Sequence, residues 1–345
     1  MELEVKTLEK KYPILIQRDG LNKIRSHFES GYKVLILSDD GVPFIYVERL
    51  KKQLKKAEIL IISQGETNKS FNTYQTIINH LMKLNFTKKD YIVTLGGGMV
   101  LDLGGFVAAT YKRGMRWVSI PTTSLAMVDA SIGGKVAINH MDIKNSVGTY
   151  YHPEVVIVDP TTLETLPKRH FINGIIEALK TGIIGDRELY SIFFEKDYKE
   201  RIDEIIYKSL KFKAKIVEAD EKENRLRKIL NFGHTFGHAY EAYFSMKDYL
   251  HGEAVALGML TVSKGESYYQ ELKNLFKKWK IKTEINVDAN KILNLIFNDK
   301  KMNKTSIDLI KVKEIGSAEI IETEIGDLKK YLEEIWVQHL GKLSK

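Results

Sequence analysis

The second half of the chain contains a short stretch in which histidines and a glutamate could bind a metal ion. His234 and His238 are spaced i, i+4, which places both imidazoles on one face of a helix, and His251 follows soon after. Two histidines and a carboxylate form zinc sites that leave one coordination position open for a substrate. Glu177 is the favoured carboxylate, because an ionised side chain on an apolar helix needs a partner.

The same residues also allow a simpler interpretation. His234 and His238 would then be ordinary histidines of a packed helix, and Glu177 would form an (i, i+3) pair with Lys180. Spacing alone leaves open which of the two histidines is a metal ligand.

A glycine-rich turn in the first half is typical of a phosphate or dinucleotide site. Gly96, Gly97 and Gly98 follow a predicted strand and precede a helix that contains Asp102. Glycines at such a turn let the backbone approach a pyrophosphate, and the amides of the helix N-terminus point at the anion. The spacing differs from Gly-x-Gly-x-x-Gly, so a glycine turn without a ligand is the alternative.

Polar side chains also follow the two preceding predicted strands. Asp39 ends the first of them, and Glu66 and Lys69 follow the second. A carboxylate at the carboxyl end of a parallel strand is placed to bind a ribose hydroxyl. Ordinary loop chemistry is the alternative for each segment.

The densest polar group follows the fourth predicted strand, where glycines alternate with residues that supply positive charge and directed hydrogen bonds. This pattern predicts a segment that wraps a charged ligand. Its members are Thr122, Thr123, Asp129, Gly133, Gly134, Lys135, Asn139, Lys144 and Asn145. A second group of cations matters only where its members face a ligand. It comprises Lys213, Lys215, Arg225, Arg227 and Lys228.

The elements that must position these residues divide the chain into two parts. In the first part, short apolar β-branched runs alternate with amphipathic segments, as in βα units around a buried parallel sheet. Strands are predicted at residues 34–37, 59–62, 91–95, 117–120 and 155–158, and helices at 43–56, 72–84 and 102–111.

Helical periodicity dominates from about residue 162 onward. Helices are predicted at residues 171–184, 198–218, 231–244, 253–272 and 328–340. Residues 281–287 and 306–321 fit either strand or irregular loop. We therefore expect an α/β domain over residues 1–161, followed by a mainly α-helical domain over 162–345.

Composition excludes several classes of protein. The 345 residues include no cysteine, so disulfides and thiolate metal sites are excluded and a cytoplasmic location is expected. No apolar run is long enough for a membrane helix, and the charged N-terminus is unlike a signal peptide. The net charge of +8 invites a nucleic-acid interpretation, but the lysines are interspersed with acidic residues, as on a solvated surface. We expect neither a membrane nor a nucleic-acid partner.

Taken in chain order, the motifs resemble those of the 3-dehydroquinate synthases, within the wider group of sugar-phosphate cyclases. The resemblance extends from about Gly65 to His251. The motifs as they stand here are Gly65-Glu66-x-x-Lys69, Gly96-Gly97-Gly98-x-x-x-Asp102-x-x-Gly105-Phe106, Pro121-Thr122-Thr123, Val128-Asp129-x-Ser131-x-Gly133-Gly134-Lys135, Lys144-Asn145, Glu177-x-x-Lys180, Arg227-x-x-x-Asn231-x-Gly233-His234-Thr235-x-Gly237-His238-Ala239-x-Glu241 and His251-Gly252-Glu253.

The resemblance implies a Rossmann-like NAD-binding domain, a helical domain that binds metal and substrate, and an active site in the cleft between them. It further implies a homodimer, in which Arg113 can reach the neighbouring subunit's site. The implied ligands of a zinc ion, with cobalt as the alternative, are Glu177, His234 and His251.

Two further sets of contacts are implied by the resemblance. The NAD contacts are Asp39, Glu66, Lys69, Gly97, Gly98, Asp102, Thr122, Thr123, Asp129 and Lys144. The substrate contacts are Lys135, Asn145 and His238 towards a phosphate, Lys213 and Arg227 towards a carboxylate, and Lys180 and Asn231.

The implied reaction converts an anionic seven-carbon sugar-acid phosphate to 3-dehydroquinate and phosphate, with NAD oxidising and then reducing the substrate so that no net redox change remains. A sister cyclase with another sugar phosphate is one rival, although Lys213, Arg227 and Asn231 favour a substrate with a carboxylate. A zinc-dependent polyol or glycerol-phosphate dehydrogenase is the other, and would produce net NADH.

Two positions depart from the family pattern. Leu101 stands where the family usually has glycine, and the family's basic residue near the C-terminus corresponds to either Lys300 or Lys301.

Overall fold

A computed structural model of the chain describes residues 1–141, 143–244, 248–299 and 306–332. They form two compact units. The first comprises Met1–Gly174 and Lys199–Lys222, and the second comprises Ile175–Tyr198 and the described residues from Glu223 onward. The boundary expected after residue 161 stays a prediction.

The first unit contains a seven-stranded sheet with strand order β1-β2-β9-β6-β5-β3-β4 and a separate two-stranded sheet, β7-β8. In the larger sheet only β1 pairs antiparallel, with β2, and the other neighbours are parallel. The strands are β1 Glu2–Lys6, β2 Lys11–Ile16, β3 Val34–Asp39, β4 Ala57–Ile62, β5 Tyr91–Gly96, β6 Arg116–Pro121, β7 Lys135–His140, β8 Ile143–Tyr150 and β9 Val155–Val158. All five predicted strands are confirmed.

The helices of the described residues are α1 Phe44–Gln53, α2 Phe71–Lys83, α3 Gly98–Thr110, α4 Lys168–Gly185, α5 Arg187–Ile192, α6 Ile202–Ala219, α7 His234–Tyr243, α8 His251–Val262, α9 Tyr269–Lys278 and α10 Ala289–Asp299. The first four predicted helices correspond to α1, α2, α3 and α4, with shifted ends. The predicted helix 198–218 is α6 preceded by a short 3-10 turn.

Both faces of the large sheet are buried, because successive side chains of a strand point to opposite faces. Val34 and Ile36 of β3 belong to one apolar core, which α1 covers through Val47. Leu35 and Leu37 of the same strand belong to the other core, formed with α2 and α3. This explains why the strands are continuous apolar runs instead of alternating ones.

The order of the strands creates a crevice at the carboxyl end of the sheet. From β3 the chain moves to β4 on one side and then returns to β5 on the other side of β3. The two neighbouring strands β3 and β5 therefore lie at the point where the winding reverses, which is where open α/β sheets bind their ligands. Asp39 ends β3, and Gly97 follows the end of β5.

The second unit is mainly helical, with one added hairpin. Strands β10 Ser306–Glu314 and β11 Ser317–Glu324 pair antiparallel, so the ambiguous segment 306–321 is strand. The other ambiguous segment, 281–287, is irregular. The single helix predicted at 253–272 is wrong in extent, because α8 ends at Val262 and the chain passes through Gly265 at a φ of +87° before α9 begins. The predicted helix 328–340 lies mostly outside the described residues.

Within the described parts of the chain, none of the helices combines the length and the apolar character that crossing a bilayer requires.

Candidate active site

The carboxylate of Glu177 lies beside two imidazoles in the second unit. Glu177 sits on α4 among buried apolar neighbours, and its side chain is 1% exposed. Its Oε1 atom is 3.9 Å from Nε2 of His234 and 3.9 Å from Nε2 of His251. The three predicted metal ligands thus converge, although Glu177 is separated from the histidines by more than fifty residues of chain.

Both imidazoles are oriented by contacts at their other nitrogen. Nδ1 of His234 lies 3.2 Å from the carbonyl oxygen of Phe232, which can only accept a hydrogen bond, so Nδ1 is the protonated nitrogen. Nδ1 of His251 lies 3.4 Å from Oε2 of Glu241. In each ring the Nε2 lone pair therefore faces Glu177, as in metal sites where a second acceptor fixes the histidine tautomer.

Charge and burial shift the pKa values of the two imidazoles in opposite directions. The pKa of His234 lies well below its ordinary value, because burial and then the nearby Lys180 disfavour the imidazolium. Burial also lowers the pKa of His251, but the hydrogen bond to Glu241 and the charges of Glu177 and Glu241 outweigh it, so the net direction is upward. The carboxylates of Glu177 and Glu241 therefore favour positive charge at His251, whereas positive charge at His234 is disfavoured.

The donor set fits a divalent metal. Neither carboxylate oxygen of Glu177 accepts a hydrogen bond from the described residues, although the ammonium of Lys180 lies 2.5 Å from Oε2 as an ion pair. A buried carboxylate is costly unless cations neutralise it. Lys180 contacts Oε2, and Oε1 is the oxygen that faces the two imidazoles and could bind a metal ion. Two imidazole nitrogens and one carboxylate oxygen are typical ligands of catalytic zinc, so the residues present suit the ion.

His238 is the alternative ligand that the spacing leaves open. Its ring nitrogen lies in the same cluster, since one ligand atom from each of His234, His238 and His251 falls within 4.8 Å of the others. The side chain of His238 is exposed, however, whereas that of Glu177 is buried between the other two imidazoles' Nε2 atoms. The geometry thus suits His238 to a substrate contact, which stays a prediction.

Glycines bring the histidine helices together. A Cβ atom on Gly258 of α8 would lie only 1.9 Å from the carbonyl oxygen of Gly233, and one on Gly237 of α7 would lie 3.1 Å from Cα of Val255. The backbones of α7 and α8 therefore touch directly. Sequence reasoning missed this role of Gly258, whose only signal is the absence of a side chain inside an apolar helix.

Several of the predicted NAD residues lie at or just after the carboxyl ends of parallel strands in the first unit. Gly97 precedes α3 in extended conformation and provides no side-chain cap, so the first amides of the helix remain available to an anion. A Cβ on Gly97 would lie 3.2 Å from Cγ2 of Thr123, which follows β6. Leu101 does not disturb this turn, because it lies within α3 and is buried.

A hydrogen-bond network joins residues predicted for both cofactor and substrate. The ammonium of Lys69 donates to Oδ2 of Asp102 at 2.5 Å and also to the amide oxygen of Asn145. The backbone N–H of Asn145 donates to Oδ1 of Asn139 at 2.8 Å. Asn139 in turn donates to Oε1 of Glu66 at 2.8 Å. The sequence places Asn139 only within the polar segment and assigns it no role.

Two aspartates near this edge of the sheet have pKa values above the ordinary value of an aspartate. Burial raises the pKa of Asp102, and the charge of Lys69 offsets only part of that effect. Burial also raises the pKa of Asp39, against the hydrogen bond that Oδ1 accepts from the N–H of Gly41 at 2.9 Å. Both side chains are therefore partly shielded from water at the crevice where the winding reverses.

Lys213 of α6 faces the polar segment that follows β6. Its ammonium lies 2.6 Å from Oδ1 of Asp129 and donates to the carbonyl oxygen of Asp129 at 2.7 Å. Asp129 belongs to a π-helical turn, Ala126–Ala130, and such turns are frequent at functional sites. Within the first unit, a predicted substrate contact and a predicted cofactor contact are thus paired directly.

The remaining predicted residues are placed as follows. Arg227 is buried, and the side chain of Asn231 donates to Oε1 of Glu223 at 2.7 Å. Lys135 begins β7 with its side chain exposed. Thr122 is buried, and its N–H donates to the carbonyl oxygen of Gly96, while Gly98 is the first residue of α3. Lys144 is half-buried on β8, and Arg113 is exposed with a φ of +65°. Lys215 and Arg225 are both exposed. Lys300 and Lys301 lie outside the described residues.

Comparison with known proteins identifies the family. A family model described as 3-dehydroquinate synthase N-terminal matches residues 59–173, and one described as 3-dehydroquinate synthase C-terminal matches residues 174–302. A 3-dehydroquinate synthase from Clostridium beijerinckii is 37% identical over 346 residues, which covers 94% of this chain and 98% of that protein. The chain belongs to the 3-dehydroquinate synthase family. The resemblance inferred from the motifs is confirmed.

Two solved structures share the fold of this chain. A 2-deoxy-scyllo-inosose synthase complexed with carbaglucose-6-phosphate, NAD+ and Co2+ has a TM-score of 0.84 at 22% identity, covering 97% of this chain and all (100%) of that one. A 2-epi-5-epi-valiolone synthase from Streptomyces hygroscopicus subsp. jinggangensis 5008, with NAD+ and Zn2+ bound, has a TM-score of 0.83 at 22% identity, covering 96% and 99%. The predicted fold class of the family is therefore confirmed.

Proposed function

We propose that this chain is a phosphate-eliminating lyase that converts 3-deoxy-D-arabino-heptulosonate 7-phosphate to 3-dehydroquinate, a step of the shikimate pathway to aromatic amino acids. Family membership supports this function. The observation that carries it is the buried Glu177 carboxylate, whose Oε1 has no hydrogen-bond partner among the described residues and lies 3.9 Å from Nε2 of both His234 and His251.

Glu177, His234 and His251 would hold the metal, for which zinc is the first candidate and cobalt the alternative. A bound divalent metal supplies a Lewis acid that lowers the pKa of a substrate hydroxyl and stabilises a carbonyl. The protein itself fixes the orientation of the metal-binding side chains. The Phe232 carbonyl and the Glu241 carboxylate hold the two imidazoles with Nε2 towards Glu177.

NAD would be held by the carboxyl edge of the sheet in the first unit. A bound nicotinamide supplies a hydride acceptor that can return the hydride, so no net NADH accumulates. The α3 N-terminus suits the pyrophosphate, and Asp39 suits a ribose hydroxyl. The remaining proposed contacts are Glu66, Lys69, Gly97, Gly98, Asp102, Thr122, Thr123, Asp129 and Lys144.

The substrate carries a phosphate and a carboxylate, and both must be neutralised away from bulk water. Lys135, Asn145 and His238 are the proposed phosphate contacts, and Arg227 and Lys213 the proposed carboxylate contacts. Arginine pairs with a carboxylate through two parallel hydrogen bonds, which suits the buried Arg227 to this task. Lys180 and Asn231 complete the proposed set, with Arg113 supplied to the neighbouring subunit of a homodimer.

The broader organisation is also proposed. Residues 1–161 would form the NAD-binding domain, and 162–345 would supply the metal ligands and both carboxylate contacts. The cysteine-free composition supports a cytoplasmic location. The interspersed surface charge supports the absence of a nucleic-acid partner.

Phosphate release from the seven-carbon substrate tests the function. We expect release in the presence of NAD and metal, loss of activity with a chelator, recovery on adding zinc or cobalt, and no net change in absorbance from NADH. Net NADH formation with glycerol or another polyol, without phosphate release, would instead identify a dehydrogenase. Turnover of a sugar phosphate that lacks a carboxylate, in preference to the seven-carbon acid, would identify a sister cyclase.

A further inference from the structure

A buried histidine outside the proposed contacts supports the turn that presents Lys135. His152 follows β8 and is 3% exposed. Its Nε2 atom lies 3.0 Å from Oε1 of Glu221. Its Nδ1 atom has no hydrogen-bond partner among the described residues. The orientation of this imidazole in the first unit therefore depends on Glu221 and on the groups packed against the ring.

Glu221 is itself fixed from a second side. Its Oε2 atom accepts a hydrogen bond from the backbone N–H of Leu8 at 2.9 Å. Burial alone would raise the pKa of Glu221, but the Leu8 N–H and His152 lower it, so the carboxylate is ionised at neutral pH. The ring of Tyr12 stacks on His152, with centroids 5.6 Å apart and an interplanar angle of 29°. The imidazole is thus held both at its edge and on a face.

Gly134, the second glycine of the Gly133-Gly134 turn, lies against this imidazole. Gly134 has a φ of +69°, and a Cβ atom on it would lie 2.5 Å from Cε1 of His152, so no side chain fits between turn and ring. The carbonyl oxygen of Gly134 accepts a hydrogen bond from the N–H of Tyr151 at 2.8 Å. Lys135 follows directly as the first residue of β7. The position of the ring therefore sets where the Lys135 side chain begins.

Glu221 connects the same turn to α6. It lies just beyond the C-terminal end of that helix, which carries Lys213. The ammonium of Lys213 forms an ion pair with Oδ1 of Asp129, 2.6 Å away. Two cations that the proposed function assigns to the substrate, Lys135 and Lys213, are thus linked within one unit through His152 and Glu221.

We propose that His152, held by Glu221, is a positioning residue that fixes Lys135 relative to Lys213 for binding of the doubly anionic substrate. It acts through the Gly133-Gly134 turn and does not touch the substrate. The proposal rests on the proposed function in taking Lys135 as a phosphate contact.

A double-mutant cycle between His152 and Lys135 tests this role. We expect His152→Ala to lower kcat/KM by about 10- to 100-fold, because a misplacement of about 1 Å can cost about a hundredfold. The change should appear mainly in KM for the sugar phosphate, with the NAD affinity retained. His152→Gln, which can still donate to Glu221, should recover most of the loss. In the Lys135→Ala background, His152→Ala should have little further effect, because both changes remove one interaction.

The same cycle is also measured as the affinity for inorganic phosphate by calorimetry. This readout needs no turnover, so an inactive wild-type protein would count against the proposed function and not against the positioning role. Arg18→Ala is the matched control, since Arg18 anchors the opposite end of α6 through Asp203 at 2.9 Å. It should change neither readout.

If His152→Ala does not fold, Glu221→Ala replaces it in the cycle, because that change removes the anchor and leaves the ring against Gly134. Equal losses from His152→Ala, or from its replacement, in the wild-type and Lys135→Ala backgrounds would overturn the proposal. So would a loss of NAD affinity as large as the loss of phosphate affinity.

Discussion

The ammonium of Lys180 lies 2.5 Å from Oε2 of Glu177, one helical turn away on α4, where neither side chain is more than 3% exposed. The pair leaves Oε1 of Glu177 facing the two imidazoles, 3.9 Å from each Nε2. Lys180 thus balances the carboxylate on one side while the other side remains available to a cation. Removing one partner of a buried ion pair strongly destabilises a protein. A change at Glu177 therefore has two effects, on the ion pair and on metal binding, which must be measured separately.

We expect Glu177→Gln to abolish metal binding and phosphate release together, since a neutral amide is a poor ligand for zinc. It should also destabilise the protein by about 3–5 kcal/mol, because the buried ammonium of Lys180 loses the carboxylate with which it forms an ion pair. Metal content by mass spectrometry of the purified protein and unfolding in urea measure the two effects.

The double variant Glu177→Gln/Lys180→Met separates them. It should regain much of the stability and none of the metal, because the buried positive charge is removed together with the carboxylate that balanced it, while the metal ligand is still missing. Glu271→Gln is the control, since Glu271 is a hydrogen-bonded carboxylate of the same unit that accepts from Tyr190 at 2.8 Å. A Glu177→Gln protein with full metal content would refute the ligand assignment.

Arg227 and Lys228 are adjacent cations with different surroundings. Arg227 is buried, whereas Lys228 is half-exposed and pairs with Asp308 at 2.6 Å. We expect Arg227→Ala to weaken substrate binding by about 10- to 150-fold, the range of a hydrogen bond to a charged group, and to leave NAD affinity nearly unchanged. Lys228→Ala should change both affinities little. Separate titrations with substrate and NAD measure this, and equal losses for the two ligands in Arg227→Ala would show that the carboxylate contact is misassigned.

The fold could be predicted from the sequence where local pattern decides it. The runs that became β3 to β6 and β9 are apolar and β-branched, and burial on both sheet faces requires that composition. The sequence does not predict the hairpin β7–β8, because its strands carry polar residues of the candidate site and most residues of β8 are exposed. Residues 253–272 form two helices because Gly265 between them has a positive φ. The spacing of apolar residues does not reveal this backbone conformation.

The candidate site was predictable as a set of residues but not as an arrangement. The motifs named Lys69, Asp102 and Asn145 separately, yet the ammonium of Lys69 joins the other two across 33 and 76 residues of chain. Such contacts arise from the strand order, which brings the carboxyl ends of different βα units to one edge. Residues that act through others, such as Glu241 and His152, carry no separate signal in the sequence.

The Lys69–Asp102 pair predicts a pH dependence of stability. Burial raises the pKa of Asp102, and Lys69 limits that increase. In Lys69→Met the pKa of Asp102 should rise further. The folded protein then binds a proton that the unfolded chain, with a pKa of about 3.9, has released. The stability lost by the variant relative to the wild type should therefore be small near pH 4 and grow as the pH rises towards 7.

Urea unfolding at several pH values measures this difference. In Lys69→Met/Asp102→Asn the extra pH dependence should disappear, because the titrating group is gone. NAD affinity should fall in both variants, since both residues are proposed contacts. A difference between Lys69→Met and wild type that stays constant from pH 4 to 7 would contradict the assigned role of Asp102.

The contact between α7 and α8 predicts that a single methyl group can remove the metal site. A Cβ on Gly258 would lie 1.9 Å from the carbonyl oxygen of Gly233 and 2.8 Å from the N of Gly237, both backbone atoms that cannot move independently. We expect Gly258→Ala to push the helices apart, to cost about 1–3 kcal/mol or more of unfolding free energy, and to weaken metal binding by displacing His251 from His234. Gly326→Ala is the matched control, because a Cβ there meets no atom within 4 Å and should change stability by less than about 0.5 kcal/mol. Urea unfolding together with metal titration decides the matter, since a Gly258→Ala protein with unchanged metal affinity would show that close backbone contact is not what brings the two imidazoles together.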